Sequence, residues 1–94
     1  MDKYQRHWAL MRDGPAHEAL LLVRRLAREA TTDAELAALA VTLMEPLVDM
    51  HWHEIYADLE DALERSSSLR RVLRGSILHI PQEIEDELRA RAID

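Results

Sequence analysis

Apolar residues along this 94-residue chain recur at intervals of three and four, the spacing that gathers one face of an α-helix. Tyr4, Trp8 and Met11 follow it, which predicts a short amphipathic helix over 2–12 starting after Asp2. Asp13-Gly14 ends that helix, and Pro15 suits the first position of the next one. The second helix should run to about Ala30 with Ala16, Ala19, Leu20, Val23, Leu26 and Ala27 inward and Arg24, Arg25 and Arg28 toward solvent. Thr32 and Glu35 have the spacing of a capping box, so a third helix is expected from Asp33 to about Met44. It is apolar nearly all round, the mark of a centrally buried helix.

Pro46 cannot donate into an ongoing helix, which predicts a break or kink near Glu45 and a short turn over 46–50. A clear amphipathic helix follows over 53–65, with Ile55, Leu59, Ala62 and Leu63 inward. Ser66-Ser67-Ser68 supplies a cap for a short helix, Leu69 to Arg74, and Gly75 stops it. Ile77, Leu78 and Ile80 read as a buried connector. Pro81 opens a last helix, with Ile84 and Leu88 inward and Glu85/Arg89 and Glu87/Arg91 as pairs one turn apart. The pattern predicts an all-α fold, a compact bundle of five to six short helices forming one domain over 1–94.

Composition supports that reading. Leu, Ala, Arg and Glu dominate, phenylalanine is absent, and two glycines leave little hairpin chemistry. The absence of cysteine removes disulfides, thiolate metal sites and cysteine nucleophiles. No apolar run approaches the roughly 20 residues that span a bilayer, and the polar start Met1 to Trp8 has no signal-peptide core. A cytoplasmic protein without membrane contact is expected.

Between Thr42 and Ile77 the chain carries Thr42-Leu43-Met44-Glu45-Pro46-Leu47-Val48, then Ile55-Tyr56-Ala57-Asp58-Leu59-Glu60, then the run from Ser66 to Gly75-Ser76-Ile77. This stretch resembles a family of small bacterial all-helical proteins of unknown function, with motifs like G-P-L-E-D-L-L, F-I-D-x-V-E-x-x-A and D-P-x-F-R-x-x-L-x-G-V-W. Glu45, Leu47, Glu60, Arg70, Leu73 and Gly75 match as identities. The resemblance implies a helical fold and no particular chemistry.

Charge is what distinguishes the surface. The formal net charge is −6, and from Glu29 to Glu64 there are ten acidic residues and no lysine or arginine. Glu54, Asp58 and Asp61 fall at i, i+4 and i+7 and form one acidic stripe. Like charges so spaced repel by a few tenths of a kcal/mol. A basic partner surface would offset that cost and be steered in by the field; alternatively the stripe is a solvated face. Trp52, beside this helix, is the expected interface anchor.

Other chemistry is thinner. Asp49 and His53 lie one turn apart and could share a metal, but a stable zinc site needs three or four ligands. Arg70, Arg71 and Arg74 behind the serine-rich helix start suggest an anion site, which Glu60, Asp61 and Glu64 would neutralise. Net negative charge argues against nucleic acid. Phosphate-loop, nucleophile-elbow and His-Glu-x-x-His motifs are absent, so neither an enzyme nor a cofactor is expected. The sequence thus points to a small acidic protein-binding module of inhibitor or immunity type. The alternatives are a homodimer built on leftover apolar surface and a small metal- or anion-binding domain.

Overall fold

A computed structural model of the protein describes residues 3–93. A short 3-10 turn, Gln5–His7, leads into α1 (Trp8–Asp13), followed by α2 (Ala16–Glu29) and α3 (Asp33–Leu39). A π-helical turn, Ala40–Met44, joins α3 directly to the long α4 (Glu45–Arg65), and α5 (Ser67–Arg74) and α6 (Gln82–Arg91) complete the chain. The described residues contain no strand. The Cα radius of gyration, 11.8 Å, is that of one globule of this length. No helix among the described residues is long and apolar enough to cross a membrane.

The core is built on α2 and α4, which pack most extensively against one another. Ala16, Ala19, Leu20, Val23 and Ala27 form the buried face of α2, its alanines allowing close approach of the helix opposite. From α4 come Leu47, Val48, Ile55, Leu59, Ala62 and Leu63. Leu69, Val72 and Leu73 of α5 and Leu88 of α6 close the cluster.

Several boundaries differ from the sequence expectation, each for a local reason. The first helix starts at Trp8, and its proposed start at Asp2 lies outside the described residues. The 3-10 turn before it changes the angular step per residue. Tyr4 and Met11 therefore face the core while Trp8, expected with them, is 43% exposed. Pro15 takes the cap position of α2 instead of its first turn, with extended dihedrals. Leu26 is only half-buried. The third helix is not buried all round: Leu36, Leu39, Ala40, Leu43 and Met44 point inward, but Val41 is 64% exposed. Ile77 of the expected buried connector is likewise exposed, while Leu78 and Ser76 are buried.

The largest difference is at Pro46, where the chain neither breaks nor turns. The N–H of Glu45 bonds the Ala40 carbonyl, five residues back. This wider turn accommodates the proline ring and its missing donor, which in a regular helix would clash with the carbonyl four residues earlier. Glu45 keeps helical dihedrals (φ −59°, ψ −53°) despite preceding proline. The predicted turn over 46–50 is part of α4.

Capping follows the sequence closely. The Thr32 hydroxyl accepts from the Glu35 N–H at 3.1 Å, and Glu35 accepts from the Thr31 N–H and hydroxyl. Ser66 accepts from the Leu69 N–H at 3.1 Å.

The two glycines are not equivalent. A Cβ at Gly14 would stand 2.3 Å from Leu10 Cδ1 and 2.8 Å from the Leu10 carbonyl oxygen, whereas at Gly75 nothing lies within 3.7 Å. Gly75 has φ −85°, open to any residue. Gly14→Ala should therefore lower stability by about 1–3 kcal/mol through overpacking. Gly75→Ala should be neutral or stabilise by up to about 1 kcal/mol. Urea midpoints of the two variants check this, and equal midpoints would contradict it.

Candidate docking groove

Glu54, Asp58 and Asp61 of the acidic stripe are all exposed on α4, as the periodicity predicts. Each has a basic neighbour within the chain. Asp58 lies 2.5 Å from His17 Nδ1 on α2, Asp61 pairs with Arg65 at 3.0 Å, and Glu54 stands 3.6 Å from His51 and 3.8 Å from His53. The stripe is thus partnered within the chain, by histidines at Asp58 and Glu54 and by Arg65 at Asp61. Trp52 is half-buried and packs against the core, with its ring edge-on to His53 at 5.8 Å. Trp8 is the more exposed of the two indoles.

Asp49 and His53, the proposed metal pair, do not share a site. Asp49 accepts from the His79 backbone N–H at 2.8 Å and faces its ring Nδ1 at 3.1 Å. No group of three or more His, Asp or Glu side chains able to hold a metal occurs among the described residues. Glu45 similarly accepts from the Ile77 N–H at 3.0 Å. These two carboxylates fasten the connector before α6 onto α4.

The basic cluster of α5 is also used within the fold. Arg70 donates to the Leu63 and Glu64 carbonyls at the end of α4, Arg71 pairs with Asp33 at 2.5 Å, and Arg74 donates to the Ala92 carbonyl. Glu60 and Glu64 hold Arg91 of α6. Glu85 and Arg89 pair as expected, at 2.7 Å, and Arg89 also donates to the carbonyls of Leu73 and Ser76. Glu87 does not take Arg91; it accepts from the Tyr56 hydroxyl, which holds that phenol up to about 12.

Glu35 shows what such contacts do to a carboxylate. Lys3 first, then the donors of Thr31, bring it down to about 2 from the ordinary 4.5. A depressed folded-state value means stability present above the unfolded value and lost as pH falls through the folded one. Glu35→Gln should therefore flatten the fall of Tm between about pH 4.5 and 2 and leave pH 7 to 5 unaltered in slope. An undiminished acid slope in the variant would refute this role.

A broad, open concavity lies elsewhere, over the π turn. A groove of about 610 Å³ is lined by Trp8, Val41, Thr42, Pro46 and the carboxylate-bearing Glu45 and Asp49, with Gln5 at its edge. The π turn explains why these side chains meet. In a regular α-helix residues five apart point roughly 140° apart, whereas a ladder of i to i+5 bonds brings them nearly into line. Val41 and Pro46 therefore share one face, and α1 lays Trp8 against it. The Arg12 guanidinium lies over the Trp8 ring at 4.6 Å and pairs with Asp13, holding the indole in place while part of it stays exposed.

Sequence reasoning missed this groove for two connected reasons. It put Trp8 in the core and broke the helix at Pro46. The one available signal was Val41 and Pro46 at a five-residue spacing, which has no meaning unless the helix continues in π geometry. Comparison with models of protein families, with curated proteins and with solved structures finds no match.

Proposed function

We propose that the protein is an acidic protein-binding module whose groove over the π turn receives an apolar side chain flanked by basic residues on a partner protein. The observation that carries this reading is the groove itself, in which an exposed tryptophan, valine and proline converge within reach of two carboxylates. Tryptophan in a concave, water-excluding patch is among the commonest anchors of interfaces. Glu45 and Asp49 supply the charge that selects a basic flank, and the acids farther along α4 extend the same field.

In this reading the anchoring indole is Trp8, and Trp52 packs against the core. Glu54, Asp58 and Asp61 steer encounter and do not form the contact itself. Steering acts on the association rate and fades with salt, while a buried anchor acts on the dissociation rate. A small module of this kind suits the masking of a cationic surface on another protein, the role of inhibitor and immunity-type proteins, by analogy of size and charge.

The test is capture of a partner from host lysate by the intact chain and by Val41→Asp, with the partner identified and its binding rates then measured in purified form. The proposal expects a partner with a basic interface that is lost on Val41→Asp. A partner bound equally by both chains would overturn the groove assignment. Self-association through the same face would establish the homodimer in its place.

A further inference from the structure

A second concavity, of about 440 Å³, lies where α2, the end of α4 and the start of α5 meet. Arg24 and Arg28 of α2 and Arg65 of α4 line it together with the serines 66–68, and Leu21 stands at its rim. Arg24 and Arg28 are four residues apart on one helix, where like charges repel. Among the described residues neither has a carboxylate within ion-pair distance, whereas Arg12, Arg25, Arg71, Arg89 and Arg91 all do. Of the three arginines in the pocket only Arg65 is paired, with Asp61, one turn earlier on α4.

That arrangement is unexpected for this chain. Eighteen acidic residues against twelve basic ones leave ample carboxylate to neutralise every arginine. Arg24 and Arg28 nevertheless face one concavity with Arg65 beside them, and among the described residues no carboxylate lies at ion-pair distance from either. Asp58 and Asp61 line an adjoining concavity with Arg24. The guanidinium fork matches phosphate oxygens in a bidentate way and holds its charge at any physiological pH. The serines add to this: the Ser66 hydroxyl is spent on the Leu69 N–H, while the Ser67 side chain is exposed.

We propose that this pocket binds the phosphate groups of a small phosphorylated molecule, with Arg24 and Arg28 as the principal ligands and Arg65 and Ser67 completing the shell. Its dimensions suit one or two phosphoryl groups. No aromatic ring lines it on which a base could stack. The net charge of −6 repels a long polyanion, so a nucleic-acid strand is disfavoured where a compact anion is not. Leu21, 60% exposed at the rim, offers contact to a short organic remainder.

The experiment titrates pyrophosphate and inorganic phosphate into the intact protein by calorimetry at constant ionic strength, with sulfate and a single-stranded oligonucleotide in parallel. Pyrophosphate should bind one equivalent with a Kd below about 1 mM and raise Tm. The double variant Arg24→Gln/Arg28→Gln should bind roughly tenfold more weakly or worse. It relieves a repulsion and is expected to fold normally. Arg25→Gln, whose side chain pairs with Glu29 away from the pocket, should bind as the parent does. No binding of pyrophosphate, or equal binding by the double variant, would overturn the proposal. Tighter binding of the oligonucleotide than of pyrophosphate would overturn it in favour of a nucleic-acid site.

Discussion

Leu59→Ala is expected to remove about 2–5 kcal/mol of unfolding free energy. Leu59 is fully buried on α4, in the cluster shared with α2, α5 and α6. The cluster leaves little freedom to collapse into the space, since its other large members, Leu63, Ile55, Leu73 and Leu88 among them, are themselves fully buried. A domain of this size has only about 5–15 kcal/mol in hand, so the variant should be partly unfolded at 37 °C or close to it. Asp58→Asn, one residue away but exposed, should move stability by no more than about 0.5 kcal/mol. Denaturant unfolding of the two variants separates the roles of adjacent positions. A Leu59→Ala loss below about 1 kcal/mol would mean that the helix packing described above is wrong.

The second large effect concerns binding. Trp8→Ala should cost about 2 kcal/mol or more in partner affinity, roughly thirtyfold in Kd, because it removes the aromatic wall against which the partner's apolar side chain packs. The fold should tolerate it, since Trp8 is 43% exposed and outside the buried cluster. Lysine at Glu54, Asp58 and Asp61 together should instead slow association several-fold at low salt and leave dissociation nearly unaltered. The split between the two rate constants therefore distinguishes an anchor from a steering field. An unaltered Kd for Trp8→Ala would remove the indole from the interface.

Why some features were legible in sequence and others not has a physical explanation. The capping residues Thr32 and Glu35 act within three positions of each other, so their spacing predicted their bond. A serine cap for α5 was legible too, although the helix starts at Ser67, two residues before the expected Leu69. The same locality made Ile55, Leu59 and Leu63 safe assignments, because the helix over 53–65 obeys a uniform 3.6-residue repeat. Departures from that repeat were invisible. The 3-10 turn before α1 rotated Trp8 outward, and the π turn carried the chain through Pro46, a residue that normally stops a helix.

Partner choice among charges was equally hard to foresee. Arg91 passes over Glu87, four residues earlier on its own helix, for Glu60 and Glu64 across the interface with α4. A helix-local rule cannot see that alternative, because it depends on how α6 docks. Arg70 and Arg74 likewise serve backbone carbonyls at neighbouring helix ends, which leaves Arg24 and Arg28 to face the serine-rich start of α5. The acidic stripe was read correctly as exposed but, without the tertiary structure, its histidine neighbours could not be placed.

The most direct test of the docking account is site-specific photocrosslinking. A photoreactive residue is placed singly at Val41, in the groove, and at Asp58, on the stripe, and the crosslinked peptides are sequenced after exposure to host lysate. Position 41 should capture one protein, through a segment with an apolar side chain between basic residues, and position 58 should capture it weakly or not at all. Capture at position 58 with none at position 41 would contradict the docking account, and so would position 41 crosslinking only to a second copy of this chain.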